Sequence, residues 1–274
     1  MVQYFDCRGY KLPLGKKTYI MGILNVTPDS FSDGGKYISL EAAIEKARDM
    51  VKEGADIIDI GGESTRPGFN TIEAAEEIDR VLPVLEILVK ELKVPISIDT
   101  NKGAVAEKAL EAGAHIINDI WGLQKDPLIA KIAAEYNAGI IIMHNKEDKL
   151  YNDLMEEIKE FLKKSINIAQ KAGIGNSSIV IDPGIGFGKT FEHNLEVMRR
   201  LGELKNLGFS MLLGTSRKSF IGQILNLPVT ERMEGTAATT ALGIAAGVDI
   251  VRVHDVKEMC RVAKVADAIT RGER

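Results

Sequence analysis

Polar side chains recur at the points where short apolar segments of the sequence end. Asp99, Asn118 and Asp182 each close such a segment. Their carboxylate and amide oxygens accept hydrogen bonds, so together they suit a flat heterocycle that presents several N–H donors. Capping of a strand or of the following helix explains one or two residues of this kind. The set that shares the position is larger: Asn25, Asp99, Asn118, His144, Asp182, Arg252 and His254.

Cationic residues form a second group. Lys218 follows one apolar segment, Arg252 and His254 lie on the next, and Arg66 and Arg217 add further positive charge. An isolated Lys or Arg is ordinarily a solvated surface charge. Arg252 lies within an apolar segment, however, where a guanidinium requires an anion. Acceptors and cations together predict a phosphorylated heterocyclic substrate.

Glycine-rich segments at residues 25–35, 61–68 and 182–190 follow three of the apolar segments and are typical of loops that cover a ligand. The spacing from Gly184 to Lys189 is one residue too short for the phosphate-binding loop of nucleotide hydrolases. No GxSxG motif occurs, and neither cysteine has a neighbouring histidine, so covalent catalysis is not indicated. The four histidines are too scattered for a zinc motif, and we expect His115 and His193 to be structural or surface residues.

The elements that must position these residues follow an alternating pattern. Eight short apolar segments are separated by stretches with helical periodicity, which predicts βαβ units in a (β/α)8 TIM barrel, with an open doubly wound sheet as the alternative. We expect residues 1–274 to form one such domain, and residues 2–14 to form a hairpin, turning at Arg8 and Gly9, that closes the barrel floor. Asp255 with Glu258 resembles a capping box at the start of the last helix. The expected strands are 19–25, 56–61, 95–99, 115–119, 139–144, 178–182, 210–215 and 249–254.

Composition excludes several classes of protein. Apolar residues make up 45% and charged residues 27% of the chain, as in an ordinary globular protein. A net charge of -4 provides no global positive field for nucleic acid or an anionic membrane surface. No apolar stretch reaches the length of a membrane span, and Cys7 and Cys260 are far apart without a CxxC pattern. We therefore expect a cytoplasmic protein without disulfides.

Taken together, these motifs resemble one family, dihydropteroate synthase, which joins 4-aminobenzoate to a pterin diphosphate in folate synthesis. The resemblance runs in order over nearly the whole chain. It departs at residues 143–149, where the family usually carries a longer loop containing Gly, Pro and Gln. The motifs are NVTPDSFSDGG at 25–35, DIGGESTRPG at 59–68, IDT at 98–100, ND at 118–119, DPGIGFGKT at 182–190, SRKSF at 216–220 and RVHD at 252–255.

The resemblance implies roles for individual residues. Asp182 would face the amino-pyrimidine edge of the pterin and Lys218 its oxo side, and Asn25 would help to bind Mg²⁺. Asp99, Lys218, Asn25 and Arg252 would be the catalytic residues. The implied contacts are Asp99, Asn118, Asp182 and Lys218 for the pterin; Asn25, Arg66, Arg252 and His254 for the diphosphate; and Thr65, Pro67, Phe187, Lys218 and Ser219 for 4-aminobenzoate.

The implied reaction is Mg²⁺-assisted loss of diphosphate, followed by capture of a pterin methylene cation by the aryl amine. The family further implies a homodimer, for which the helix at 234–246 could supply the interface or could simply pack on the barrel. Two other functions remain open at this point. One is a pterin-binding barrel that transfers a methyl group from a methylated folate to a corrinoid protein, and the other is a pterin-binding protein without catalysis.

Overall fold

Eight parallel strands close into a barrel in the part of the chain that the computed structural model describes, residues 4–26, 36–63 and 71–272. Each barrel strand pairs with its neighbours in the sequence, and the last strand pairs with the first, with Ile250 opposite Tyr19. The strands are β1 (Tyr4–Cys7) and β2 (Tyr10–Pro13), which form a separate hairpin, and the barrel strands β3 (Tyr19–Asn25), β4 (Ile57–Gly61), β5 (Ile96–Asp99), β6 (Ile116–Asp119), β7 (Gly139–Met143), β8 (Ile179–Asp182), β9 (Ser210–Leu213) and β10 (Ile250–Val253).

Helices follow the barrel strands and cover the outside of the barrel. Two successive helices, α7 and α8, lie between β9 and β10, and α9 follows β10. The helices are α1 (Lys36–Glu53), α2 (Ala74–Glu91), α3 (Gly103–Glu111), α4 (Leu128–Glu135), α5 (Leu154–Lys171), α6 (Phe191–Arg200), α7 (Ser219–Leu225), α8 (Met233–Ala245) and α9 (Val256–Thr270). The predicted TIM barrel is confirmed. The eight expected strands end within two residues of the observed ones, and pairing of β10 with β3 excludes the open sheet.

Alternation of side chains along the strands divides the barrel into layers. Outward residues such as Ile58, Ile98 and Ile117 pack beneath the helices in the main core. Inward residues at the lower level are apolar, and those at the carboxyl ends of the strands are mostly polar. The lower level contains Met21, Ile57, Ile116, Ile141, Val180, Leu212 and Ile250.

The β1–β2 hairpin closes the lower end of the barrel, as the sequence predicts. Its turn has positive φ at both Arg8 and Gly9, the backbone geometry that suits a tight hairpin. Phe5 and Cys7 are fully buried against the lower level of the interior. A side chain at Gly139 would place its Cβ 2.6 Å from Cζ of Phe5, so this position of β7 requires glycine. Arg8 fixes the hairpin by donating to the carbonyl of Leu110 at 2.6 Å.

One helix feature differs from expectation, and a second shows how α8 packs. The expected capping box at Asp255 is wrong, because the Asp255 carboxylate accepts from the Arg217 guanidinium and makes no cap hydrogen bond. In α8, Gly243 lies so close to β9 that a Cβ would meet Leu213 at 2.4 Å, which confirms packing of this helix on the barrel. In the described ranges, no helix has both the length and the apolar character needed to cross a membrane.

Candidate active site

A cavity of about 360 Å³ opens at the carboxyl ends of the barrel strands, a size typical of small-molecule sites. Thr65, Arg66 and Pro67, with residues 27–35 of the first glycine-rich loop, lie outside the described residues. The remaining predicted site residues all line this cavity: Asn25, Asp99, Asn118, Asp182, Phe187, Lys218, Ser219, Arg252 and His254.

Strand register explains why residues distant in sequence converge. Asn25 lies opposite Gly61, Gly61 opposite Asp99, and Asp99 opposite Asn118. Side chains at one level of a closed barrel point to a common axis. Gly61 contributes no side chain, and an added Cβ there would lie 3.7 Å from Asn25 Oδ1. This position therefore leaves room between Asn25 and Asp99.

Arg252 lines the cavity and is held there by two carboxylates across the barrel interior, Asp59 of β4 and Asp99 of β5. Its Nε donates to Asp59 Oδ2 at 2.6 Å, and its Nη2 donates to Asp99 Oδ2 at 2.7 Å. Burial would lower the pKa of Arg252, but these carboxylates outweigh it and hold the pKa above its usual value. The anion that the sequence requires for Arg252 is thus supplied in this structure by Asp59 and Asp99.

Each of these carboxylates keeps one unpaired acceptor, and Asp99 lines the cavity. Asp99 Oδ1 is buried without a hydrogen-bond partner in the described part of the chain, as is Asp59 Oδ1. Burial raises the pKa of Asp99 to about 7; the Arg252 charge lowers it, and the Asp59 charge raises it. The Asn118 amide nitrogen donates to Asp59 Oδ2 at 3.2 Å, which leaves the Asn118 carbonyl oxygen as a further acceptor.

Asp182 lies at the end of β8, where its Oδ1 accepts the backbone N–H of Gly184 at 2.7 Å. Burial raises the pKa of Asp182, although the Lys218 ammonium and the Gly184 hydrogen bond oppose the shift. Burial lowers the pKa of Lys218 to about 8, while the charge of Asp182 opposes it. Buried acid and base groups with displaced pKa values are typical of functional sites.

The loop after β8 supplies the aromatic wall of the cavity. Gly184, Gly186 and Gly188 all have positive φ, and a Cβ on Gly184 would lie 1.9 Å from the His144 carbonyl oxygen. Only glycine therefore permits the close approach of this loop to β7. The loop places the Phe187 ring 4.6 Å from the Lys218 ammonium, a cation–π contact.

The cavity rim carries more positive charge. His254 Nδ1 is 2.9 Å from the Ser216 hydroxyl. Arg217, in a left-handed backbone conformation, pairs through two nitrogens with Asp255. Arg232 donates to the Arg217 carbonyl at 3.1 Å and also lines the cavity. A ligand that enters between these groups meets cations at the rim and acceptors at the inner end.

Some site residues do not follow from the sequence patterns. Asp59 stands in a quoted motif, but only the closed barrel shows that it binds Arg252. Ile23 and Met143 line the cavity and could have been found by strand alternation, since each lies on the inward face of its strand, two residues beyond Met21 and Ile141 respectively. Arg232 comes from the connection between α7 and α8 and has no comparable signal. His144, expected at the rim, is instead buried behind the loop after β8, against Lys189.

Comparisons with known proteins agree with this geometry. Residues 21–254 match the family of pterin binding enzymes. The chain is 55% identical over 259 residues to dihydropteroate synthase of Clostridium beijerinckii, covering 94% of this chain and 96% of that protein. A crystal structure of dihydropteroate synthase from Clostridium difficile in the presence of pteroic acid superposes with a TM-score of 0.93 at 57% identity, covering 94% of this chain and 98% of the other.

A more distant structure is also similar, that of Xanthomonas albilineans dihydropteroate synthase with 4-aminobenzoic acid. It has a TM-score of 0.93 at 39% identity and covers 98% of both chains. These relatives are synthases, which favours the synthase over the methyl-transfer and non-catalytic alternatives. On its sequence, its barrel and its match along nearly the whole length of these proteins, the chain belongs to the dihydropteroate synthase family of pterin-binding enzymes.

Proposed function

We propose that this chain condenses 6-hydroxymethyl-7,8-dihydropterin diphosphate with 4-aminobenzoate to give 7,8-dihydropteroate and diphosphate. The observation that carries the proposal is a single cavity lined both by buried acceptors, Asp99, Asn118 and Asp182, and by cations. Pteroic acid and 4-aminobenzoic acid, present with two of the relatives, are a product-like molecule and a substrate of this reaction.

The pterin would bind at the inner end of the cavity. Asp182, Asp99 and the carbonyl oxygen of Asn118 offer acceptors to the N–H groups of its amino-pyrimidine ring. Lys218 would donate to the ring oxo group, since its ammonium donates to the Ile185 carbonyl beside the Phe187 ring and has further N–H donors. Burial makes these hydrogen bonds selective, because a heterocycle with the opposite donor pattern would leave buried polar groups unpaired.

The diphosphate would lie at the rim, near Arg252 and His254, with Arg66 as the further expected contact. Cleavage of the bond between the pterin methylene carbon and oxygen would send both bonding electrons to the diphosphate. The methylene cation that remains is delocalised over the pterin, and the nearby Asp99 carboxylate would stabilise its charge. The lone pair of the aryl amine then forms the new carbon–nitrogen bond and the nitrogen releases one proton to water, so no activated nucleophile of the protein is required.

The residues also fit the Mg²⁺ ion that the family implies. In the described ranges, no group of three or more His, Cys, Asp or Glu side chains could hold a metal by itself. Mg²⁺ at phosphate sites commonly takes one or two protein ligands together with phosphate oxygens and water. Asn25, with its amide on the cavity wall, fits that arrangement. When bound, Mg²⁺ would offset the charge that develops on the departing diphosphate.

The 4-aminobenzoate would lie between Phe187, Lys218 and Ser219, with Thr65 and Pro67 as the further expected contacts. Phe187 provides an apolar surface for the benzene ring, and the Lys218 ammonium and the exposed Ser219 can meet its carboxylate. We also propose that the chain forms a homodimer. Leu242 of α8 and Val265 and Ile269 of α9 expose between 63% and 78% of their surface, which supports an interface on this side.

Product analysis tests the proposed function directly. The protein is mixed with Mg²⁺, the pterin diphosphate and 4-aminobenzoate, and the products are identified by mass spectrometry. We expect 7,8-dihydropteroate and diphosphate in equal amounts, and no dihydropteroate when 4-aminobenzoate is omitted. Folded protein that forms no dihydropteroate from the three components would show that the proposal is wrong. Sedimentation of the unsubstituted chain and of Leu242→Glu tests the homodimer.

A further inference from the structure

Lys189 is a buried cation for which the proposed reaction has no role. It follows the glycine-rich loop, its side chain is 4% exposed, and it does not line the main cavity. Its Nζ lies 2.8 Å from His144 Nδ1, 2.9 Å from the Gly184 carbonyl oxygen and 3.1 Å from the Phe187 carbonyl oxygen. These three acceptors match the three N–H donors of an ammonium group.

All three of these contacts are to neutral groups, so none of them offsets the desolvation of a buried charge as a carboxylate would. A buried ammonium is ordinarily paired with a carboxylate, since desolvation otherwise favours an apolar side chain at the position. Burial lowers the pKa of Lys189 to about 7, and the charge of Asp182 opposes that shift. Stability alone therefore does not explain a lysine at this position.

The two carbonyl contacts bracket the segment that forms one wall of the cavity. Gly184 donates to the Asp182 carboxylate through its N–H, and Phe187 packs against the Lys218 ammonium. Other side chains hold the rest of this loop: Asn194 Oδ1 accepts from the Gly186 N–H at 2.6 Å, and the Tyr151 hydroxyl donates to the Gly188 carbonyl at 2.7 Å. Lys189 is the member of this set that contacts both ends of the wall.

We propose that Lys189 is a positioning residue: its ammonium, held by His144, fixes the backbone from Gly184 to Phe187 and so places Phe187 against the aryl amine and Asp182 against the pterin. The inference rests on the proposed function, because it assigns Lys189 a role in that site. The placement does not require a charged lysine. A neutral amine can donate to the two carbonyls and accept from His144 Nδ1–H, so all three contacts survive a change of tautomer.

The charge of Lys189 has a second, separable effect on Asp182. Burial raises the pKa of Asp182, and the charges of Lys218, Lys189 and Arg252 oppose the rise. His144, whose backbone N–H donates to the Asp182 carbonyl, adds no charge because burial lowers its pKa. Loss of the Lys189 charge should therefore raise the pKa of Asp182 further and move the acid limit of pterin binding to higher pH.

Two variants separate these effects. Lys189→Met removes the donors and the charge, and Lys189→Gln removes the charge but keeps two N–H donors on a side chain one atom shorter. Lys163→Met, at an exposed position of α5, is the matched control. Thermal unfolding establishes that each variant is folded. The readouts are KM and kcat with 4-aminobenzoate, and the dissociation constant of pteroic acid between pH 5 and 9.

For Lys189→Met we expect a KM for 4-aminobenzoate raised, and a kcat lowered, by roughly ten- to a hundredfold, because Phe187 is displaced. Its acid limit for pteroic acid should rise by about half a pH unit or more. Lys189→Gln should show the same pH shift with a smaller change in KM. Folded variants whose KM and pH profile match those of Lys163→Met, with only thermal stability altered, would reduce Lys189 to a structural residue and overturn the proposal.

A measurement on the unsubstituted protein covers the case in which neither variant folds. At pH 5, two pH units below the pKa of about 7 of Lys189, ¹⁵N spectra should show His144 with no proton on Nδ1. A protonated Nδ1 at that pH would contradict the contact with the ammonium. Formation of dihydropteroate by the unsubstituted chain is assayed in parallel. Because that assay uses the unsubstituted chain and asks only whether product forms, failure of this inference and failure of the proposed function give different results.

Discussion

Replacing Asp182 by Asn exchanges an acceptor for a donor at the inner end of the cavity. In the structure, one carboxylate oxygen accepts the Gly184 N–H at 2.7 Å, and the residue lines the cavity. Asn can keep the Gly184 contact only by turning its carbonyl oxygen to that N–H. Its amide N–H₂ then points into the cavity, toward the donors of a bound pterin.

The expected loss of pterin affinity follows from two contributions. A hydrogen bond to a charged acceptor is worth about 1.5 to 3 kcal/mol, and a buried donor left facing another donor costs about 1 to 3 kcal/mol. We take about 3 to 4 kcal/mol for the sum, which corresponds to roughly a hundred- to a thousandfold weaker binding. Folding should change little, because Asn relieves the desolvation of a buried charge and retains the Gly184 hydrogen bond.

Calorimetric titration with pteroic acid measures this effect, with Asp79→Asn, at an exposed position of α2, as the control. Burial raises the pKa of Asp182, so binding to the unsubstituted chain should weaken as the pH falls through that raised pKa. In Asp182→Asn this contribution to the acid limit should be absent. Unchanged affinity in a folded Asp182→Asn variant would remove Asp182 from the pterin site and refute the argument.

Three further changes test the barrel around the site. Asp59→Asn weakens the buried ion pair with Arg252 but leaves the contact of Arg252 with Asp99 in place. We therefore expect the free energy of unfolding, measured in urea, to fall by about 3 kcal/mol, the low end for buried ion pairs. An unchanged free energy of unfolding would contradict the pairing of Asp59 with Arg252. Gly139→Ala should lower the free energy of unfolding by about 1 to 3 kcal/mol, because the new Cβ meets Phe5, and should leave the KM for 4-aminobenzoate unchanged. In the double variant, Phe5→Leu should restore part of the lost stability. Burial raises the pKa of Asp99 to about 7, so the folded chain holds a proton there that the unfolded chain releases above about pH 4. The stabilisation of the folded state by this proton is complete below about pH 4 and is lost as the pH rises through 7. The unfolding free energy of Asp99→Asn should therefore fall less between pH 5 and 8 than that of the unsubstituted chain.

The sequence predicts the barrel because its signals are local and repeated. Each apolar segment with a polar end corresponds to one strand, and the hairpin turn needs only Arg8 and Gly9. What the pattern cannot supply is the pairing of groups across the interior. Arg252 lies 193 positions from Asp59 and 153 from Asp99, and their contacts exist only because the barrel closes.

For the same reason, the sequence predicts that the buried guanidinium of Arg252 needs an anion, but it does not show that Asp59 and Asp99 are the carboxylates that bind it. The burial of Lys189 does not follow from the sequence either, because the spacing excludes a phosphate-binding loop but gives no other position for the side chain, and only the fold shows that it turns inward. The capping box predicted at Asp255 is absent because the Asp255 carboxylate binds a side chain and not the backbone N–H groups of the helix. A nearby guanidinium, that of Arg217, is a stronger partner for a carboxylate than a helix N-terminus.

The hairpin floor has a consequence for how the chain acquires its fold. Phe5 and Cys7, near the beginning of the sequence, are buried together with Leu212 and Ile250. During synthesis the apolar face of the hairpin therefore cannot reach its complete set of contacts until β10 has been made and has paired with β3. Closure is long-range in sequence and correspondingly slow. A chain interrupted before β10 would expose both the edge of β3 and the underside of the barrel, and we expect it to be recognised by chaperones and proteases as unfinished.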